Sequence, residues 1–217
     1  MPKIKPFEEH LNLYEDWFVT NKFAYKSELQ AIRELLPENG TGTGIEIGIG
    51  SGLFAAPLGI QKGIDPSPEM CKMAANRNLD VIAGSGESIP LDDNTFKFAL
   101  MVTTVCFLDN VGKSFQEVNR ILTPGGFFIN AFVDKDSPVG RIYQRDKDRN
   151  IFYRDATFYS TREIVLTMQE AGFINFSFRQ TIFHLPEDIS EREPVKEGLG
   201  EGSFIVVRGQ KNIKNLI

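Results

Sequence analysis

A glycine-rich loop directly after a short apolar segment is the feature that most restricts the fold of this chain. Residues 44–49 are rich in β-branched side chains and predict a buried strand, and glycine recurs at positions 48, 50 and 52. Residues 53–58 are compatible with a helix. A strand, a tight turn and a helix N-terminus let a ligand approach unpaired backbone N–H groups. The sequence therefore predicts a binding loop here.

Predicted strands and helices alternate along most of the chain. The predicted strands are residues 44–49, 61–65, 80–83, 96–103, 127–133, 173–183 and 203–208, and the predicted helices are residues 7–20, 27–36, 53–58, 66–76, 111–122 and 161–171. We expect Ser27 to cap the second helix. Repeated β-α units predict a mainly parallel sheet with helices on both faces. In such sheets the ligand binds beyond the carboxyl ends of the strands, beside the first strand.

Composition restricts the class of protein further. A chain of 217 residues with 41% hydrophobic residues is expected to form a single domain, 1–217, with a large core. A net charge of −5 argues against nucleic acid as the main partner, because phosphate binding requires a basic face. No apolar run is long enough for a secretory signal or a bilayer span, so no membrane partner is expected. Two cysteines fit a reducing cytoplasm, and two distant histidines predict no metal site.

The glycine loop departs from the dinucleotide fingerprint. That fingerprint is GxGxxG, whereas here the third glycine comes one residue early, at Gly52, and Glu46 precedes the loop. Asp65 ends the second predicted strand, where an acid can accept hydrogen bonds from both ribose hydroxyls. A nicotinamide-dependent oxidoreductase is an alternative, but the glycine spacing and the lack of an evident Tyr-x-x-x-Lys pair disfavour it.

Four segments along the chain carry a resemblance to a known family. They are residues 46–52 (EIGIGSG), 65–70 (DPSPEM), 84–96 (GSGESIPLDDNTF) and 120–126 (RILTPGG). In this order they resemble the first motif, the ribose-binding turn, the adenine-side segment and the proline-glycine turn of the class I S-adenosylmethionine-dependent methyltransferases. The resemblance is to the small-molecule subgroup that includes ubiquinone and menaquinone biosynthesis enzymes. The resemblance covers residues 44–133 and implies a Rossmann-like, doubly wound sheet of seven mostly parallel strands, with an antiparallel strand near the C-terminus.

The resemblance implies S-adenosylmethionine as the cofactor and a small molecule as the methyl acceptor. The matched cofactor-binding positions are Glu46, Gly48, Gly50, Gly52, Asp65, Pro66, Met70, Gly86, Glu87, Ser88, Thr103, Thr104 and, in the N-terminal region, Tyr14. The glycine loop would hold the methionine part of the cofactor, and Glu46 would support that end. Thr103 and Thr104 would lie beside the sulfonium.

The remaining matched positions would bind the nucleoside part. Asp65 would clamp the ribose hydroxyls, Pro66 and Met70 would pack near the adenine, and Glu87 with its neighbouring backbone would meet the adenine edge. Purely structural roles are open alternatives: Asp65 as a cap of the following helix, Glu87 as a solvated loop acid, and Thr103 as a strand end.

Two regions outside the matched segments are expected to cover the site. Residues 1–37 would form a helical cap, in which Tyr14 or Tyr25 contacts the cofactor. Residues 134–159 interrupt the β-α rhythm and would form a lid insertion that contacts the substrate through Phe152, Tyr153 or Phe158, although alternating charge is also typical of a solvated helix. The glycine-rich residues 198–204 would form either a plain turn or a wall of the acceptor pocket.

No catalytic residue can be assigned from the sequence. Methyl transfer from a sulfonium needs alignment and exclusion of water, and a general base only where the acceptor must lose a proton. Family members often carry a histidine shortly after the fourth strand, but here residues 105–109 read VCFLD, leaving Asp109 as a distant candidate and Cys106 as a buried apolar residue. A non-catalytic cofactor-binding protein is therefore a further alternative.

Overall fold

The structure is a computed structural model that describes residues 3–37 and 41–213. The strands are β1 (Gly44–Ile47), β2 (Lys62–Asp65), β3 (Asp80–Ala83), β4 (Phe96–Val102), β5 (Leu122–Val133), β6 (Phe173–Thr181), β7 (Lys196–Glu197) and β8 (Phe204–Lys211). The helices are α1 (Lys5–Glu9), α2 (Leu11–Thr20), α3 (Lys22–Arg33), α4 (Ala55–Leu58), α5 (Pro68–Asn76), α6 (Val111–Ile121), α7 (Pro138–Asp146) and α8 (Thr161–Glu170).

The strands form one mixed sheet in the order β3-β2-β1-β4-β5-β8-β6-β7. Strands β1 to β5 pair in parallel, and β8 runs antiparallel between β5 and β6. The direction of winding reverses between β1 and β4, which places the switch point of the sheet beside the glycine loop. The predicted doubly wound fold with an antiparallel strand near its end is confirmed. The sheet has one strand more than expected, the two-residue edge strand β7.

Two buried hydrophobic clusters cover the two faces of the sheet. One contains Phe98 and Leu100 of β4 and packs against α3, α4 and α5, for example through Ile32. The other contains Ala99 and Met101 of the same strand and packs against α6 and α8. Alternate residues of β4 therefore face opposite helix layers, and all except Lys97 are buried, as a central strand requires.

Predicted helix boundaries in the N-terminal region are wrong in two places. The single helix predicted over residues 7–20 is interrupted at His10, whose backbone (φ −132°, ψ 41°) is not helical. The next helix begins at Lys22, so Ser27 lies inside it and its hydroxyl donates to the carbonyl of Phe23 (2.8 Å) instead of capping the N-terminus. Regular apolar spacing does not reveal a one-residue break, because aromatic side chains on its two sides, Phe7 and Tyr14, still meet (5.8 Å between ring centroids).

Two further boundaries differ from the prediction because of local features, a side-chain cap in one case and a bulge in the other. The helix predicted from Pro66 begins at Pro68, since the Ser67 hydroxyl caps it by accepting from the N–H of Met70 (3.3 Å). The predicted turn at residues 123–126 is a bulged extension of β5, whose register against β4 shifts there, with Gly125 at φ 77°.

Candidate functional site

A cavity opens at the carboxyl ends of β1, β2 and β4, where the loops after the parallel strands converge. The empty space between its walls, including the solvent-open mouth, is about 760 Å³. Its lining residues are Lys3, Ile4, Phe7, Tyr14, Gly48, Gly50, Asp65, Pro66, Ser67, Met70, Ser85, Gly86, Glu87, Val102, Thr103, Thr104, Phe107 and Leu108. We call it the nucleoside cavity.

Ten of the predicted cofactor-binding residues line the nucleoside cavity, and three do not. The ten are Tyr14, Gly48, Gly50, Asp65, Pro66, Met70, Gly86, Glu87, Thr103 and Thr104. Glu46 is buried behind the glycine loop. Gly52 faces inward, where a Cβ would lie 2.4 Å from Leu79, and the N–H of Ser88 donates to Ser85 (3.1 Å) within a turn.

The glycine loop is fixed by contacts that only glycine permits. Gly48 has φ 72°, and a Cβ at this position would lie 2.4 Å from the Thr104 side chain. The Thr104 hydroxyl bonds the carbonyls of Gly48 (3.3 Å) and Val102 (3.0 Å), which joins the loop to the end of β4. Gly50 has φ 55°, and a Cβ there would lie 3.1 Å from the Tyr14 hydroxyl. The loop therefore presents bare backbone to the cavity between Thr104 and Tyr14.

Asp65 connects the glycine loop to the turn after β2. One carboxylate oxygen accepts from the N–H of Gly50 (2.8 Å), and the other accepts from the N–H of Ser67 (2.9 Å). Burial raises the pKa of Asp65, and the two backbone hydrogen bonds oppose that rise. Each oxygen has a further lone pair for a hydroxyl, since a carboxylate offers about four acceptor sites.

Glu46 is a fully buried carboxyl with an unsatisfied oxygen. It is 1% exposed, and within residues 3–37 and 41–213 its Oε2 has no hydrogen-bond partner. Burial raises its pKa well above the ordinary value, while the N–H of Ala55 acts in the opposite direction. A buried acceptor without a donor is costly. A cationic amino group near the glycine loop, such as that of a bound amino acid, would lower this cost.

Glu87 lines the nucleoside cavity and also accepts hydrogen bonds from the backbone of another loop. Its Oε1 accepts from the backbone N–H groups of Asp109 (2.8 Å) and Asn110 (3.4 Å). It therefore fixes the loop after β4 against the loop after β3. Gly86 lies beside it, where a Cβ would approach the Ser114 hydroxyl to 2.7 Å, so only glycine fits between these loops.

A second, smaller cavity lies on the other side of Thr103. It is lined by Thr103, Val105, Cys106, Phe132, Val133, Tyr143, Tyr153, Phe158 and Tyr159, and the empty space between them, including its opening to solvent, is about 320 Å³. We call it the aromatic cavity. Thr103 belongs to both walls and has φ 49°, an unusual backbone for a β-branched residue, so the two cavities share a strained junction. Burial raises the pKa of Cys106 to about 12, so its thiol is neutral at physiological pH.

The residues of the site that sequence patterns missed include two phenylalanines, Phe7 and Phe107. The Phe7 ring lies 4.9 Å from that of Phe107 and 5.3 Å from that of Phe152, measured between centroids. This contact joins α1, the loop after β4 and the segment after α7. Neither phenylalanine belongs to a motif, and their meeting depends on three segments that are far apart in sequence. Residues 198–204 form a turn that lines neither cavity, with the N–H groups of Glu201 and Gly202 donating to Gln180.

The winding of the sheet, the glycine loop at its switch point and the acid ending β2 define a nucleoside-binding α/β protein. The fit to S-adenosylmethionine is good, because this ligand has no phosphate, carries an amino group for the unsatisfied Glu46 and carries ribose hydroxyls for Asp65.

Comparison with known proteins supports S-adenosylmethionine as the ligand of this site. A family profile described as a methyltransferase domain matches residues 45–130. A crystal structure from Thermotoga maritima, described as a S-adenosylmethionine-dependent methyltransferase and possible histamine N-methyltransferase, is 48% identical, with a TM-score of 0.93 over 96% of this chain and 99% of that one. This chain belongs to the S-adenosylmethionine-dependent methyltransferases, and S-adenosylmethionine is its cofactor.

Two curated relatives extend the comparison. An uncharacterized protein of Methanocaldococcus jannaschii is 39% identical over 94% of this chain and 98% of its own length. The demethylmenaquinone methyltransferase of Staphylococcus aureus is 24% identical over 57% of this chain and 61% of its own length, which fits the expected subgroup. Among the helices within residues 3–37 and 41–213, none has the length and apolarity needed to cross a membrane.

Proposed function

We propose that this methyltransferase acts on a small molecule that binds in the aromatic cavity, while the cofactor binds in the nucleoside cavity. The observation that carries the proposal is the position of Thr103, which lines both cavities. A methyl donor and an acceptor on the two sides of this residue would be close enough to react. The aromatic cavity is bounded by side chains of several segments, which favours a small acceptor over a macromolecule.

The cofactor-binding residues in this proposal are those predicted from the sequence. Gly48 and Gly50 receive the amino acid part, and Glu46 balances its ammonium charge from behind the loop. Asp65 binds the ribose hydroxyls, and Met70 packs against the base. The support for these roles is the cavity lining, the positive φ angles of the loop and the free lone pairs of Asp65.

Catalysis in this proposal depends mainly on positioning. The sulfonium of the cofactor supplies an already activated methyl group, so the chain must align the acceptor for in-line displacement and exclude water. The groups that face the aromatic cavity are neutral: burial raises the pKa of Cys106, Tyr143 and Tyr153. This wall offers no strong base. The proposal therefore favours an acceptor whose reacting atom is nucleophilic without losing a proton to the protein.

The N-terminal helices and residues 134–159 serve as the cover of the site within one domain. Phe7 of α1 contacts Phe152 across the mouth of the nucleoside cavity, and Tyr14 of α2 lies 6.2 Å from the same ring. Aromatic contacts between two separate segments over a binding site are suited to excluding water. We therefore assign residues 1–37 as a cap and residues 134–159 as a lid.

Calorimetric titration tests the proposal directly. We expect micromolar binding of S-adenosylhomocysteine and no binding of NAD or NADH. Turnover is then measured as release of S-adenosylhomocysteine over a panel of small acceptors. Binding without turnover of any small acceptor would favour a non-catalytic binding protein, and tight binding of NADH would contradict the cofactor assignment.

A further inference from the structure

Helix α2 meets the glycine loop through two neighbouring contacts. The Tyr14 hydroxyl lies so close to Gly50 that a Cβ there would approach it to 3.1 Å. The next residue of α2, Glu15, is joined to the next residue of the loop, Ser51, by the side chain of Arg77, which directly follows α5. One guanidinium nitrogen of Arg77 donates to a Glu15 carboxylate oxygen (2.6 Å), and the other donates to the Ser51 carbonyl (2.9 Å). We call these three residues the Arg77 bridge.

The ion pair of the Arg77 bridge is more buried than an ordinary surface pair. The side chains of Arg77 and Glu15 are 30% and 27% exposed, whereas those of Lys5 and Glu9, which pair within α1, are 81% and 55% exposed. The other carboxylate oxygen of Glu15, Oε1, is buried and has no hydrogen-bond partner among the residues that the structure describes. Removal of the guanidinium would leave a partly desolvated carboxylate without its cation, which is costly. We expect α2 to move away from the loop instead.

The contacts that hold α2 and the glycine loop in place are few. No residue of α2 is fully buried, and its apolar contacts are made by half-buried rings, such as that of Phe18, 5.9 Å from the Phe54 ring. The loop is held on one side by Asp65, which accepts from the N–H of Gly50 (2.8 Å). Arg77 holds the loop on its carbonyl side and joins it to α2. The position of α2 over the loop therefore depends strongly on this one side chain.

We propose that Arg77 is a positioning residue, which holds α2 on the glycine loop and thereby keeps Tyr14 against the bound cofactor. This inference rests on the proposed function, in which Gly50 receives the amino acid part of the cofactor and residues 1–37 form a cap. Arg77 lines neither cavity, so it acts through Glu15 and Ser51 and not by touching the ligand. Closed covers slow the release of ligands. The Arg77 bridge therefore governs how fast the cofactor and its product dissociate.

Stopped-flow fluorescence tests the Arg77 bridge, because Trp17 is the single tryptophan of the chain and lies on α2. We would measure association and dissociation of S-adenosylhomocysteine with full-length wild type, Arg77→Met and Glu15→Gln. Arg77→Met keeps the apolar stem and removes both hydrogen bonds, so dissociation should become about tenfold faster, with association changed less than about twofold. Glu15→Gln removes only the charge of the partner, so dissociation should become about threefold faster.

The two rates distinguish the Arg77 bridge from a general structural role. Unchanged dissociation in both variants would overturn the inference, as would an effect confined to association or to Arg77→Met alone. Calorimetry measures the loss of affinity independently of the fluorescence signal. Glu15→Gln carries the test if Arg77→Met fails to fold.

Two further variants assign the effect to α2. Arg33→Met is the matched control, because Arg33 of α3 also donates to a backbone carbonyl, that of Pro57 (3.0 Å), but does not join α2 to the glycine loop. It should leave dissociation within about twofold of wild type. In a Tyr14→Ala background, Arg77→Met should accelerate dissociation less than about twofold, since the residue through which the bridge acts is gone. A full tenfold effect in that background would overturn the inference.

Binding to the wild type separates failure of this inference from failure of the proposed function. If the wild type does not bind S-adenosylhomocysteine, the proposed function itself is overturned. If it binds and Arg77→Met releases the ligand at the wild-type rate, only the role of Arg77 is overturned.

Discussion

The nucleoside cavity and the aromatic cavity share Thr103 but are built in opposite ways. The first is made of loops fixed by polar contacts, as Asp65 accepts from Gly50 and Ser67. The second is lined mainly by aromatic and apolar side chains, and none of its lining residues carries a charge. A site fixed by hydrogen bonds suits one constant ligand, whereas a site walled by rings selects its ligand by shape and apolar contact. The following predictions test this difference, beginning with the largest effect.

Gly48→Ala should damage the nucleoside cavity most. The new Cβ would overlap the Thr104 side chain and occupy a backbone with φ 72°, at a combined cost of about 3 kcal/mol, or roughly a hundredfold weaker binding of S-adenosylhomocysteine. Gly42→Ala is the control, since a Cβ there meets no atom within 4 Å. Calorimetry measures both variants, and equal affinities would mean that the loop geometry is not needed for the cofactor.

Asp65→Ala should have the next largest effect. It removes the proposed ribose acceptor and leaves the N–H groups of Gly50 and Ser67 without their partner, so affinity for S-adenosylhomocysteine should fall more than about tenfold. Asp80→Ala, which removes an exposed ion pair with Lys62 (3.2 Å) on the neighbouring strands, should have no effect on binding. Unchanged affinity of Asp65→Ala would leave this acid with a purely structural role.

Tyr153→Ala should affect only the aromatic cavity. Loss of one ring of the stacked pair should raise the KM for an acceptor found in the turnover panel about fivefold and leave S-adenosylhomocysteine affinity within about twofold of wild type. Tyr153→Phe should retain the wild-type KM, because the ring face is kept. Equal losses for both ligands would show that the two cavities do not act as separate sites.

The smallest expected effect concerns stability and pH. Burial raises the pKa of Glu28 from 4.5 to about 8, so its contribution to stability is complete below pH 4.5 and is lost as the pH rises towards 8. Glu46 and Asp65 also have raised pKa values and add to this decline. Glu28→Gln should therefore raise the thermal midpoint by several degrees at pH 8 and make the decline between pH 5 and 8 shallower. Parallel curves for the variant and wild type would contradict this.

The nucleoside cavity could be predicted from sequence because its parts are local. The glycines of the loop and the acid at the end of β2 each follow from residues within a few positions. The strand order follows from the β-α alternation together with the family resemblance. The predictions that were wrong concern the ends of helices and strands. At His10, for example, a single non-helical residue breaks the helix but leaves the apolar period intact.

The aromatic cavity could not be predicted to the same depth. Tyr153 and Phe158 were expected to contact substrate, a role that remains a prediction. The stacking of Tyr153 on Tyr143 and the edge contact between Tyr153 and Phe158 depend on how an irregular segment folds back on α7. No spacing rule predicts such a path of the chain. The left-handed backbone of Thr103 is equally invisible in sequence, because threonine rarely adopts it.

The short helix α1 has a kinetic consequence. It has only five residues and none of them is buried, yet Phe7 contacts both Phe107 and Phe152 over the nucleoside cavity. Lifting this helix would expose little apolar surface, so the cofactor could exchange without disturbing the sheet. The aromatic cavity, the proposed acceptor site, is lined by no residue of α1. We therefore expect α1 to control the exchange of the cofactor without controlling access to the aromatic cavity.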